Sequence, residues 1–303
     1  MIDELKDVLE LATGATKLVK EILDLKPNNK NSDENDLILA NKKHSAQIGS
    51  SGDSAKIGSS GDSAQIGSSG DSAQIGSSGY SAKIGSSGHY AKIGSSGDSA
   101  QIESTGSLAV VSGIGFKSIV KAKKGSWITL AEYKQDENNN WVVDFVKTEQ
   151  VDSERIKEDT FYTLYSHEFT EVQIIDEIRT IVLNRKKNVI KGLYLDNLSP
   201  CFVVEKDGIF SHGETVKEAK DSLLYKISNR DTSMYEDYTF DTKVKFEEAV
   251  KMYRCITGAC EAGTRHFVEN VLTNKKKSYT VQEIIDATQG QYGSETFKDF
   301  FNK

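Results

Sequence analysis

Ala46-Gln-Ile-Gly-Ser-Ser-Gly-Asp-Ser54 is followed by six further nine-residue copies, beginning at Ala55, Ala64, Ala73, Ala82, Ala91 and Ala100. An isoleucine follows each alanine by two positions, giving Ile48, Ile57, Ile66, Ile75, Ile84, Ile93 and Ile102. Two apolar residues flanking one Gln or Lys is the period-two pattern of a strand with one face turned inward. The intervening Gly-Ser-Ser-Gly is turn chemistry. Nine residues at roughly 3.3 Å each make too small a perimeter to enclose a core, so two copies per coil are predicted, with a strand on each side. Seven copies then predict three and a half coils of a thin β-solenoid. A single coil buries too little to stand alone, and stacking aligns like residues into continuous apolar ladders.

The nonapeptide calcium roll is the natural comparison, and it requires an aspartate at a fixed place as a metal ligand. Ser54, Ser63, Ser72, Ser81 and Ser99 fill that place here. The adjacent acidic position reads His44, Asp53, Asp62, Asp71, Tyr80, His89, Asp98 and Ser107, as in a solvated turn. No metal and no cofactor are predicted.

Outside the repeat the chain divides by composition. Residues 2–25 place Ile2, Leu5, Leu9, Ala12, Thr16, Val19 and Leu23 at spacings of three and four, a heptad seam. Acidic residues occupy its first turns, and Pro27 ends it. Residues 1–26 therefore read as an oligomerisation or docking helix, with a fold-back onto the first coil as the alternative. Residues 27–43 read as a polar linker and 44–125 as the solenoid with an apolar cap. Residues 126–173 read as a small antiparallel β subdomain, and 174–303 as an α+β domain ending in a helical hairpin. In that domain Asp207-Gly208 is a turn, Thr215–Glu218 is a capping box opening a helix through Ile227, and Thr280–Glu283 is a second box.

A net charge of −7 disfavours nonspecific nucleic-acid binding, which draws on a basic surface. Residues 241–303 carry ten basic and nine acidic groups, so the terminal helix pair shows no basic recognition face of a helix-turn-helix. Three cysteines form no paired framework, and neither a signal peptide nor a long apolar run is present. These features imply a reducing cytoplasm and no membrane partner.

No Walker loop, paired-carboxylate motif or metalloprotease motif appears. The weak ligand candidates are His212, just before a capped helix and so suited to an anion, and Cys255, Cys260 and His266. The last three lack a fourth ligand and the usual zinc spacing, which favours ordinary buried cysteines. The reading is therefore a binding protein and not an enzyme.

Lys123–Tyr133, Glu149–Asp159, Ser211–Ala219, Tyr253–Thr264 and Gln289–Phe301 resemble segments of uncharacterised phage and prophage proteins of Gram-positive bacteria. Many of these carry short Gly/Ser/Ala repeats upstream. The resemblance implies a phage accessory protein in the host bacterial cytoplasm, of a kind that binds and inhibits a host or defence protein. The seam Ile2, Leu5, Leu9, Val19 and Leu23 separately predicts self-association, a homo-oligomer joined through the N-terminal helix. The alternatives are a DNA-binding regulator, a DNA mimic through Asp53, Asp62, Asp71 and Asp98, or an enzyme or binder of a nucleotide signal.

Overall fold

The structure is a computed structural model that describes residues 38–228, 230–272 and 275–302. Residues 1–26, with the seam Ile2, Leu5, Leu9, Val19 and Leu23, lie outside the described residues, as does the linker as far as residue 37. The chain divides into two compact units, with the boundary between Val172 and Gln173.

The first unit is a β-solenoid with two strands per coil. Its strands are β1 (Ile38–Asn41), β2 (Gln47–Ser50), β3 (Lys56–Ser59), β4 (Gln65–Ser68) and β5 (Gln74–Ser77), continuing as β6 (Lys83–Ser86), β7 (Lys92–Ser95), β8 (Gln101–Ser104), β9 (Val110–Gly113) and β10 (Ile119–Lys121). Odd strands stack in parallel on one side and even strands on the other, each pairing with the strand one coil further along. Ile57, Ile75, Ile93 and Val111 form one ladder, and Ile48, Ile66, Ile84, Ile102 and Val120 the other. From Ala55 to Ala109 the alanines are fully buried beside them.

Ten strands make five coils, more than the three and a half counted from exact copies. Diverged copies at both ends keep the spacing that matters. Leu39 occupies the isoleucine place and pairs with Ile57, so the end of the stretch read as a linker is already a rung. The apolar run after residue 107, expected as a cap, forms a further rung instead, with Val111 on the ladder. The expected subdomain at 126–173 likewise extends the two sheets. Strand β11 (Trp127–Gln135) pairs in parallel with β9 and antiparallel with β12 (Trp141–Gln150). Strand β13 (Phe161–Tyr165) runs antiparallel to β10 and to β14 (Glu168–Ile175).

The turn is also shorter than Gly-Ser-Ser-Gly suggests, because the first Gly-Ser belongs to the strand. That serine points inward, and Ser59, Ser77 and Ser95 are almost completely buried. The second glycine is there for space. A Cβ on Gly70 would lie 2.0 Å from the carbonyl oxygen of Gly52, one coil earlier, whereas one on Gly67 would meet nothing within 4 Å. The residue before each alanine, and before Ser118 at the equivalent place, adopts a left-handed conformation even when it is Tyr90, Leu108 or Lys117 (φ 57–59°), a strained choice that stacking enforces.

The second unit opens with β15 (Ile178–Lys186), β16 (Val189–Tyr194), β17 (Pro200–Lys206) and β18 (Ile209–Gly213), an antiparallel meander. Residues 174–183, ambiguous as sequence, are a strand end, a turn at Asp176-Glu177 and a strand. Both turn residues have positive φ, the signature of a tight hairpin. Helix α1 (Val216–Ile227) packs on β17 through Ala219 and Leu223 against Val204. A second core gathers α2 (Phe246–Thr257), the short pair β19 (Lys243–Lys245) and β20 (Ser278–Thr280), α4 (Val281–Ala287) and α5 (Ser294–Phe301). Helix α3 (Glu261–His266) follows α2 after the left-handed Gly258. No described helix is long and apolar enough to cross a membrane.

Candidate functional site

Three reactive side chains of the second unit, Asp176, His212 and Cys260, converge, and His212 also lines a cleft. The Asp207-Gly208 turn folds β18 back on β17, setting His212 opposite Val203. The strand then runs so close to α1 that a Cβ on Gly213 would lie 2.3 Å from the Ala219 nitrogen. Thr215 caps α1 by accepting the Glu218 N–H, as its motif predicts, but the Glu218 carboxylate reaches the Glu214 N–H instead of the cap's own. The second motif, Thr280 with Glu283, is a complete capping box.

His212 therefore lies in a strand and not in a solvated turn at a helix terminus, and it is fully buried. Its Nε2 meets the Thr180 hydroxyl at 2.9 Å, and its ring stacks on Tyr194. Donor atoms of His212, Cys260 and Asp176 lie within 4.8 Å of one another. Cys260 caps α3 by accepting the Gly263 N–H at 3.2 Å. The structure thus joins Cys260 to His212, from a different element, and sets Cys255 apart. The Cys255 thiol, half-buried on α2, donates to the Asp231 carbonyl. The His266 side chain lies outside the described residues.

Two members of the cluster, Asp176 and Lys226, escape sequence reasoning. The ammonium of Lys226, buried on α1, sits 2.7 Å from both Asp176 oxygens and 2.9 Å from the Phe210 carbonyl, over the Tyr292 ring. Burial raises the Asp176 carboxyl above the usual carboxylate range, and Lys226 and the Cys260 thiol oppose that shift. The signal was available in α1, where Ala219, Leu223 and Lys226 share the buried stripe: a lysine in an apolar stripe calls for an anion.

Asp176, His212 and Cys260 bring three donor atoms within 4.8 Å of one another, a set that could suit a divalent metal. Lys226 argues against that use. Its ammonium already spans both oxygens that Asp176 would offer, and a second cation would have to displace it. Nor does the cluster suit nucleophilic catalysis, because burial raises the Cys260 thiol and an activated cysteine needs the opposite. Burial likewise pushes Cys201 up to about 12. These groups form a packed polar core.

Above this core opens a cleft of about 640 Å³. His212 and Tyr194 form part of its lining, Glu214, Glu218 and Asp221 come from the start of α1, and Glu261, Arg265 and Glu269 from α3 and the turn after it. Arg265 is held by Glu214 and by Glu261 at 3.5 Å, and the Glu214 bond raises its already high pKa. Five carboxylates and one tied guanidinium leave the wall strongly negative.

The other proposed surfaces are less concave or differently employed. Helix α5 displays Glu295, Lys298 and Asp299 and buries Phe297, so it has no basic face. The repeat aspartates hydrogen-bond the next coil, with Asp53 accepting the Asp71 N–H and Asp62 the Tyr80 N–H. No family model, no curated protein and no solved structure matches the chain.

Proposed function

We propose that the protein is a non-enzymatic binding protein whose second unit captures a cationic segment of a partner protein in the acidic cleft. The observation that carries this reading is the cleft wall, where five carboxylates surround an arginine already neutralised from within. A lysine- or arginine-rich segment gains there from a concave, negative surface, which steers association and selects by sign. The solenoid supports the reading as a rigid element. Taken with the phage resemblance, the partner is a bacterial host or defence protein and the effect is its inhibition.

The test is capture from bacterial lysate with the full chain and with an Asp221→Lys/Glu269→Lys variant. These two residues are exposed and belong to neither the capping network nor the buried cluster. The expected result is a partner retained by the wild type, released by moderate salt and lost by the variant. Capture of the same proteins by both chains would remove the cleft from the account.

A further inference from the structure

Strand β12 ends the odd-strand sheet, and among the described strands it pairs only with β11. One register shift, between Glu132 and Tyr133, leaves Asp144 without an opposite residue, and from Phe145 to Gln150 the pairing is regular. The Val151 N–H donates to the Ser126 carbonyl at 2.9 Å and the Val151 carbonyl accepts the Gly125 N–H at 2.8 Å, while the Trp127 N–H turns the other way, to the Ala109 carbonyl at 2.9 Å. Backbone groups alternate along an antiparallel ladder, so those of Lys147 and Glu149 face β11. Those of Val146, Thr148 and Gln150 therefore aim at the free edge. A ten-residue edge strand is a long template for pairing with another chain.

The regular half of this edge is complementary to itself. Lys147 and Glu149 lie on one face of β12, 3.6 Å apart, in an ion network that adds Glu168 at 2.6 Å from Lys147 and Arg155 against Glu149. Thr148 lies on the other face, where its hydroxyl meets that of Thr129 at 2.9 Å. A second β12, laid antiparallel about a two-fold axis through Thr148, sets Thr148 opposite its own copy, Lys147 opposite Glu149 and Glu149 opposite Lys147. Opposite charges and paired threonines are favoured cross-strand neighbours, and like charges are not. The same axis brings the edge-directed N–H and C=O groups of Val146 against those of Gln150, and those of Thr148 against their own copies. Moving the axis by one residue sets Lys147 against Lys147 or Glu149 against Glu149, so the charges select a single register.

We propose that β12 is an interface between two copies of this chain, paired antiparallel about Thr148 so that the two odd-strand sheets run on as one. The contact is isologous, one patch serving both partners. It draws on the first unit alone, needs no contribution from the N-terminal seam and is independent of the acidic cleft.

Sedimentation of the full chain over a concentration series tests it, with charge reversals that report the register. The wild type should reach a dimer mass. Lys147→Glu and Glu149→Lys should each weaken the dimer by on the order of tenfold or more, because each sets like charges opposite one another. An equimolar mixture of the two variants should restore it, since every reversed charge then meets its complement, and restoration requires that both variants fold. Residue-resolved hydrogen exchange on the wild type is the second measurement. Amides of Val146, Thr148 and Gln150 should exchange fast in dilute protein and slowly in the dimer, while those of Lys147 and Glu149 stay protected in both. A monomer mass at every concentration, with the three edge amides unprotected throughout, would overturn the proposal. So would a dimer indifferent to both reversals, which would place the contact on another surface. Two weakened variants whose mixture fails to recover would overturn it too, by removing the antiparallel register about Thr148.

Discussion

The Asp71 carboxylate accepts the backbone N–H of His89 at 2.7 Å, eighteen residues and one full coil further along the chain. The same bond recurs from Asp98 to the Phe116 N–H at 2.8 Å, so the repeat aspartates tie each turn to the next. In a stacked array, stability is set by neighbouring coils. Asp71→Ala should lower the unfolding midpoint by roughly 2–4 °C, and Asp71→Asn, which keeps the accepting oxygen, by less. Circular dichroism melts of the three chains check this.

Glycine is needed at one repeat position and merely permitted at another. Gly70→Ala drives a methyl into the Gly52 carbonyl and should cost about 3 kcal/mol or more. Gly67→Ala meets nothing and should be neutral, or stabilising by up to about 1 kcal/mol through the unfolded chain. Denaturant titration of the two variants should move the midpoint in opposite directions, or move it only for Gly70→Ala.

Lys226→Met leaves the Asp176 carboxylate buried without its counter-charge and should cost about 3–5 kcal/mol at pH 7. Removing the ammonium raises the folded-state carboxyl further. The folded variant then binds more protons than the unfolded chain, and its stability falls as pH rises above the ordinary carboxylate range. The deficit relative to wild type should therefore shrink between pH 7 and pH 5. Lys226→Met/Asp176→Asn should recover much of the loss at pH 7. Urea denaturation at both pH values decides it.

Thiol reactivity should rank by burial. Burial raises all three thiols, but Cys201 and Cys260 are buried while Cys255 is half-buried. A colourimetric thiol reagent at pH 8 should modify Cys255 first, and the other two only on unfolding. Rapid reaction of Cys260 in the native protein would mean that the cluster beneath the cleft opens to solvent.

The ladder was legible because each isoleucine repeats at a spacing that only stacking can satisfy. Leu39 and Val111 were passed over because a copy was recognised by its glycines and serines, which the ends of the array discard, and not by its one inward apolar residue. The helices of the second unit were legible from Thr215 and Thr280, local signals with local causes. The polar core was not, since Asp176 and Lys226 stand fifty residues apart and His212 and Cys260 come from separate elements. Cysteine–histidine spacing along the chain pointed to His266, whereas the contact is made across the fold.

The alternation of copies between two sheets makes the array sensitive to parity. Inserting eighteen residues would lengthen it by one strand spacing, about 4.8 Å, and return the chain in phase. Inserting nine would also preserve every local contact of the repeat, yet it would bring Trp127–Gln135 out on the opposite side of the stack. Repeat number can therefore drift in pairs during evolution, while a single-copy gain or loss reverses the direction in which everything after the array leaves it.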